Sequence, residues 1–203
     1  HAETISTATA LALDVAGVAI IGLGSGSLRP TFTLDTATTA TIGVTAANVS
    51  VKNCIFTANF ADIVSVFTLT TAKYFTLEAC YIKATAANMN FLYVVDTNAT
   101  TADADGLALI GNKWIEPDLL TESMVKMDGT NADVVFEGNY LNLGVKNNTA
   151  AGITIATGKV VTSLQFVRNV VYRLNTDTAT GGILIVTDGS TNTGVLDNNY
   201  IQT

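Results

Sequence analysis

The chain has 203 residues, 48% of them apolar and only 13% charged, with a formal net charge of −7 at pH 7. That length suits one large domain spanning 1–203, and so much apolar content with so little charge excludes a disordered chain. The ten Lys and Arg are scattered without a basic cluster, which leaves no footprint for nucleic acid, and no apolar run approaches the ~18 residues of a membrane span.

The polar remainder is rich in Thr, Asn and Gly. Thr and Val favour strands, while Asn and Gly favour tight turns, so the composition predicts an all-β protein of many short strands. In chain order the first strand signal is Leu11-Ala12-Leu13-Asp14, an alternation of apolar and other residues. The same alternation returns at Phe32 to Asp35, Phe67 to Thr70, Tyr93 to Asp96, Val125 to Asp128, Ile153 to Ala156 and Leu184 to Thr187.

Between these segments runs a longer motif: apolar, any, apolar, any, any, Asn, any, apolar. It stands in full at Leu107 to Trp114, Val134 to Leu141 and Leu164 to Val171, and its second half stands at Leu196 to Ile201. Val49 to Phe56 and Phe75 to Ile82 carry Cys in the Asn place. A degenerate copy, Val18 to Leu23, has Leu23 there. The column therefore reads Cys54, Cys80, Asn112, Asn139, Asn169, Asn199, with steps of 26, 32, 27, 30 and 30 residues. No segment shows a convincing helical stripe. Ile115 to Met127 comes nearest, and Pro117 argues against a helix there.

A repeat of this length, holding two or three short strands too far apart for hairpins throughout, predicts a coil in which each turn lies on the one before. Corresponding strands then pair in parallel and the apolar column faces inward. About seven rungs are expected, with loops bulging outward at Thr57 to Asp62, Lys83 to Asn90, Glu116 to Ser123, Asn142 to Ala151 and Asn175 to Gly182. The Asn/Cys column then becomes an inward ladder. Each amide can donate to the rung on one side and accept from the other at the ~4.8 Å strand spacing. Cys54 and Cys80 would be neighbours close enough to bond, but parallel side-chain directions and the burial habit of unpaired Cys favour two free thiols.

Repeats of this kind with an inward Asn stack resemble the right-handed, single-stranded parallel β-helices of the pectate-lyase type. The run Ala46 to Phe56 resembles coils of virion and tailspike-type proteins of tailed bacteriophages. The resemblance implies a right-handed β-solenoid, a homotrimer, and a place on a virion or extracellular surface with other virion or filament subunits as partners.

Candidate chemistry is sparse. Asp96 and Asp128 fall in one expected column with Asp14 and Asp35, and adjacent carboxylates could hydrolyse a glycosidic bond. Strand-end and turn-capping roles compete for the same residues. Asp103-Ala104-Asp105-Gly106 is a fragment of a Ca²⁺ loop without its distal Glu, so Asp103 and Asp105 are the only metal candidates. His1 is the only histidine, which removes any His-dependent triad. The residues after the Asn/Cys column, Ile55, Tyr81, Lys113, Tyr140, Val170 and Tyr200, should face outward. In that stripe Tyr81, Tyr140 and Tyr200 suggest subunit contact or sugar stacking.

The expected function is a non-catalytic structural β-solenoid of a phage virion or related surface filament, cut from a longer chain and needing no cofactor. The alternatives are a polysaccharide-binding or polysaccharide-degrading spike, acting as a lyase or glycoside hydrolase, and a bacterial surface adhesin.

Overall fold

A computed structural model describes residues 1–8, 10–121, 123–145, 151–174, 185–186 and 191–202. The described chain is all-β apart from one 3-10 turn, Gly26–Leu28. It winds as a parallel β-solenoid of about six turns, the number of steps that separate seven stacked copies of a motif.

Three parallel sheets form its faces. Sheet 1 stacks Ala2–Ile5, Thr31–Leu34, Ile55–Ala58, Tyr81–Ala84, Lys113–Thr121, Tyr140–Val145, Val170–Leu174 and Tyr200–Gln202. Sheet 2 stacks Ala12–Leu13, Ile42–Val44, Ile63–Leu69, Phe91–Thr97, Ser123–Met127, Ala151–Ile155 and Ile185–Val186. Sheet 3 stacks Ala19–Ile21, Ser50–Lys52, Thr76–Glu78, Ala108–Ile110, Val135–Glu137, Leu164–Val167 and Gly194–Asp197. A small parallel pair, Asn131–Ala132 with Val161–Thr162, fills one corner.

The motif reads out this geometry residue by residue. Val134, Phe136, Asn139 and Leu141 are all buried, and so are their equivalents Leu107, Leu109, Asn112 and Trp114. In these copies the first apolar position lies just before a sheet 3 strand and the second at its centre, the Asn sits at the corner, and the last apolar residue is the second of a sheet 1 strand. Inside, rings stack between turns: Phe32 on Phe56 at 5.5 Å and Phe136 on Phe166 at 5.7 Å between centroids. Each fully buried side chain of this size stabilises the fold by roughly 1.5–3 kcal/mol.

The corner has a second signature. The residue before the Asn/Cys column has a left-handed backbone on six successive turns: Asn53, Ala79, Gly111, Gly138, Arg168 and Asn198. That conformation lets the chain turn sharply from sheet 3 into sheet 1, and only Gly and Asn adopt it at little cost. Ala79 and Arg168 hide the column from a reading of the sequence.

Four expectations are corrected by the register. Phe32 to Asp35 belongs to sheet 1, paired with Ala2–Ile5 and Ile55–Ala58, and the true sheet 2 member of that turn is Ile42–Val44. Leu23 does not point inward but is 93% exposed. Before it, Gly22 lies against the Asn53 carbonyl, where an added Cβ would sit 2.1 Å from the oxygen. Glu116 to Thr121 is strand rather than loop, running beside Tyr140–Val145 with a register shift. Asn142 to Val145 is likewise strand; the rest of that loop, 146–150, and most of the Asn175 to Gly182 loop lie outside the described residues.

Cys54 and Cys80 are buried free thiols on neighbouring turns. The Cys54 backbone N–H points at Cys80 Sγ at 3.5 Å. The hydrogen bond with Cys54, reinforced by burial, pushes the Cys80 thiol well above the ordinary thiol range.

Candidate functional site

The outer face of sheet 1 holds the feature with most chemical character. Strand alternation turns the second residue of each corner outward while the first stays in. The register aligns Ile55, Tyr81, Lys113, Tyr140, Val170 and Tyr200 in one row. Stacking at ~4.8 Å per turn makes the stretch from Tyr81 to Tyr200 about 19 Å long.

The row is continuous in contact. Lys113 Nζ lies 5.7 Å from the Tyr81 ring centre and 5.6 Å from that of Tyr140. Tyr172, two residues along from the row, joins Tyr140 at 6.0 Å to Tyr200 at 6.3 Å. Cation–ring and tilted ring–ring contacts at these distances are attractive and hold the side chains in a defined strip. Tyr81 and Tyr140 are half-buried and Tyr200 is 56% exposed, so ring surface remains open to solvent. Ile55 departs from the expected outward stripe, being only 5% exposed. It forms part of a cleft with the 3-10 turn and Arg29, which fold over it.

That cleft lies at the Tyr81 end of the strip. It has a volume of about 270 Å³ and is lined by Gly26, Ser27, Arg29, Ile55, Tyr81, Lys83 and Lys113. Three cations surround the Tyr81 ring: Arg29 at 6.0 Å, Lys83 at 5.8 Å and Lys113 at 5.7 Å. Arg29 is fixed by two carbonyls, donating from Nε to Gly26 at 3.0 Å and from Nη1 to Ala79 at 2.9 Å. The strand alternation in the sequence marks Tyr81, Tyr140 and Tyr200 and places Lys113 in the same row. It missed Tyr172, and it missed Arg29 and Lys83, because nothing local signals that a loop 52 residues before Tyr81 folds onto it.

Asp96 and Asp128 sit on another face, that of sheet 2. Asp96 does not stack on Asp128. Its register partner is Lys126, and Asp128 lies just beyond the end of the neighbouring strand. Lys126 Nζ is 2.6 Å from Asp128 Oδ2 and 3.8 Å from Asp96 Oδ1, so the two acids share a lysine counter-ion. Asp14 holds the place of Asp128, one residue past a sheet 2 strand, with Thr45, Thr70 and Asn98 between them. Asp35 leaves the expected column, since it follows a sheet 1 strand and its carboxylate accepts from Asn59 Nδ2 at 2.9 Å. Asp103 is buried, while Asp105 accepts from the Ala132 backbone N–H at 2.8 Å and lies 3.5 Å from Lys73 Nζ. Among the described residues no group of three or more His, Cys, Asp or Glu could hold a metal ion. Among them, too, no helix is long and apolar enough to cross a membrane.

No protein-family model, curated protein or solved structure matches this chain, so its reading rests on its own residues.

Proposed function

We propose that this chain is a rigid, non-catalytic β-solenoid segment of a virion or related surface filament, assembled as a homotrimer. The observation that supports this most is the in-register stack itself. Eight strands follow one another on sheet 1 without a change of direction, and the interior rows are filled by side chains. Such a stack resists bending, as each turn is clamped to its neighbours by three parallel ladders. The last described coil carries the inward row on, with Leu196 at 55% and Ile201 at 39% exposure. Those exposed apolar residues are suited to meeting a further turn or another subunit.

The test is assembly. Sedimentation of the purified protein should give three copies, and antibody labelling of particles or filaments from the source should decorate them. A monomer absent from any particle or filament would sink the proposal.

A second reading, a solenoid that binds carbohydrate, is favoured by the strip from Tyr81 to Tyr200. Sugars present apolar C–H faces that stack on aromatic rings, and a strip of about 19 Å along the axis suits an extended chain. Cleavage of that chain is a separate matter that the Asp96 and Asp128 carboxylates would have to supply. Release of reducing ends from a polysaccharide by the wild type, lost in Asp96→Asn with Asp128→Asn, would establish an enzyme. A surface adhesin stays open as a third reading, testable by binding of the purified protein to host cells.

A further inference from the structure

We propose that the cleft around Tyr81 binds an acidic sugar unit, a uronate or a sulfated hexose, as the anchoring position of the strip. The proposal rests on the carbohydrate-binding reading and adds a charge requirement to it.

The first argument is the placement of charge. The protein carries a net charge of −7 and ten Lys and Arg, yet three of those ten, Arg29, Lys83 and Lys113, converge on one ring. Among the described residues, Lys52, Lys73, Lys126 and Arg168 each have a carboxylate partner: Glu78, Asp105, Asp96 with Asp128, and Glu137 respectively. No such ion pair is found there for Arg29, Lys83, Lys113 or Lys159, and of these four Lys159 stands apart, donating to the Ala99 carbonyl. Three like charges held close together repel one another, and an anion brought from outside relieves that repulsion.

The second argument is shape. A cleft of about 270 Å³ lies just below the ~300–1,000 Å³ range of drug-sized ligand sites, which suits a single ring rather than a longer ligand. Its buried residue Ile55 and the Tyr81 ring offer apolar surface for the sugar's C–H face. Arg29 is pre-positioned by its two carbonyl bonds, which use two of its five N–H donors. A guanidinium held in this way loses little freedom when it pairs with a carboxylate or sulfate. Lys113 also touches Tyr140, so the acidic unit would sit at one end of the strip with the rest of the chain running toward Tyr200.

The experiment is calorimetric titration of the full chain with three probes of matched length: oligogalacturonate, a sulfated galactose oligomer and neutral oligogalactose. The variants are Lys83→Gln with Lys113→Gln, and Tyr200→Ala, each checked for an unchanged thermal midpoint. The proposal expects an acidic probe to bind at least ten-fold more tightly than the neutral one. It expects that preference to disappear in the double lysine variant and to weaken steeply with salt. It expects Tyr200→Ala to lower affinity for both kinds of probe while keeping the preference. Equal binding of neutral and acidic probes would overturn the acidic anchor and leave the carbohydrate reading standing. Binding of none of the three would overturn both.

Discussion

Asn139 Oδ1 accepts two hydrogen bonds from Asn112, one from its backbone N–H at 3.0 Å and one from its side-chain amide at 3.1 Å. Asn139 in turn donates from Nδ2 to the Leu109 carbonyl at 2.9 Å and to Asn169 Oδ1 at 2.9 Å. The same set recurs one turn on, where Asn169 donates to the Phe136 carbonyl and to Asn199 Oδ1. Each buried amide thus closes the corner of the turn before it as well as linking to the turn after.

Replacing Asn139 by Leu removes all four bonds, leaves the Asn112 N–H without a partner in a dry corner and takes one donor from the Leu109 carbonyl. An orphaned buried polar group costs about 1–3 kcal/mol, so the variant should lose roughly 3 kcal/mol or more of unfolding free energy. Chemical denaturation measures it. Asn199→Leu, at the half-exposed end of the run, should lose clearly less. Equal, small losses at both positions would mean the bonds contribute nothing.

Cys80 occupies the same corner one turn before Asn112, and the Cys80 backbone N–H donates to Asn112 Oδ1 at 2.9 Å. Its thiol sits 3.7 Å from the Val51 carbonyl, the position that an Asn Nδ2 fills on later turns. Cys80→Asn should therefore extend the run by one amide and stabilise the fold by about 1 kcal/mol, the net worth of a typical added hydrogen bond. A rise in the denaturation midpoint at constant slope is the expected result.

Ala79 is exposed and left-handed at φ 53°, next to Cys80. Ala79→Gly relieves backbone strain of about 1–2 kcal/mol and gives part of that back as unfolded-state freedom, leaving a gain of roughly 0.5–1 kcal/mol. Gly138→Ala, at the equivalent place two turns on, should destabilise by a similar amount. The two thermal midpoints should move in opposite directions.

The buried thiols predict both reactivity and pH dependence. Neither should react with a thiol-specific disulfide reagent at pH 8 until the chain unfolds, when two per chain should appear. The Cys80 thiol is raised in the folded state by its bond with Cys54 and by burial. Its contribution to stability is therefore complete below the unfolded thiol value of ~8.5 and declines as pH rises above it. Taken as a pair, the two thiols hold a proton more tightly in the folded state, so wild type should lose more stability from pH 8 to pH 10 than a variant with both Cys54→Ala and Cys80→Ala, as followed by urea unfolding.

What could be read from the residues follows from what a parallel stack demands. Inward positions meet the same neighbours on every turn, so Val134, Phe136, Asn139 and Leu141 repeat their chemistry and the period shows. The outward row of Tyr81, Tyr140 and Tyr200 followed from that same alternation.

The alternation reports which face a residue takes, never which sheet it joins, and this is why Phe32 to Asp35 was assigned to the wrong one. Only the tertiary structure decided that Asp96 pairs with Lys126, a matter of register between neighbouring sheet 2 strands. Only it brought Arg29, Lys83 and Lys113 around one ring and covered Ile55. Stacking juxtaposes residues about one turn apart, and in the case of Arg29 a loop from two turns earlier. No local propensity carries that information. The sequence by itself determined the coil and its inward rows; the winding of the chain decided which outward side chains meet.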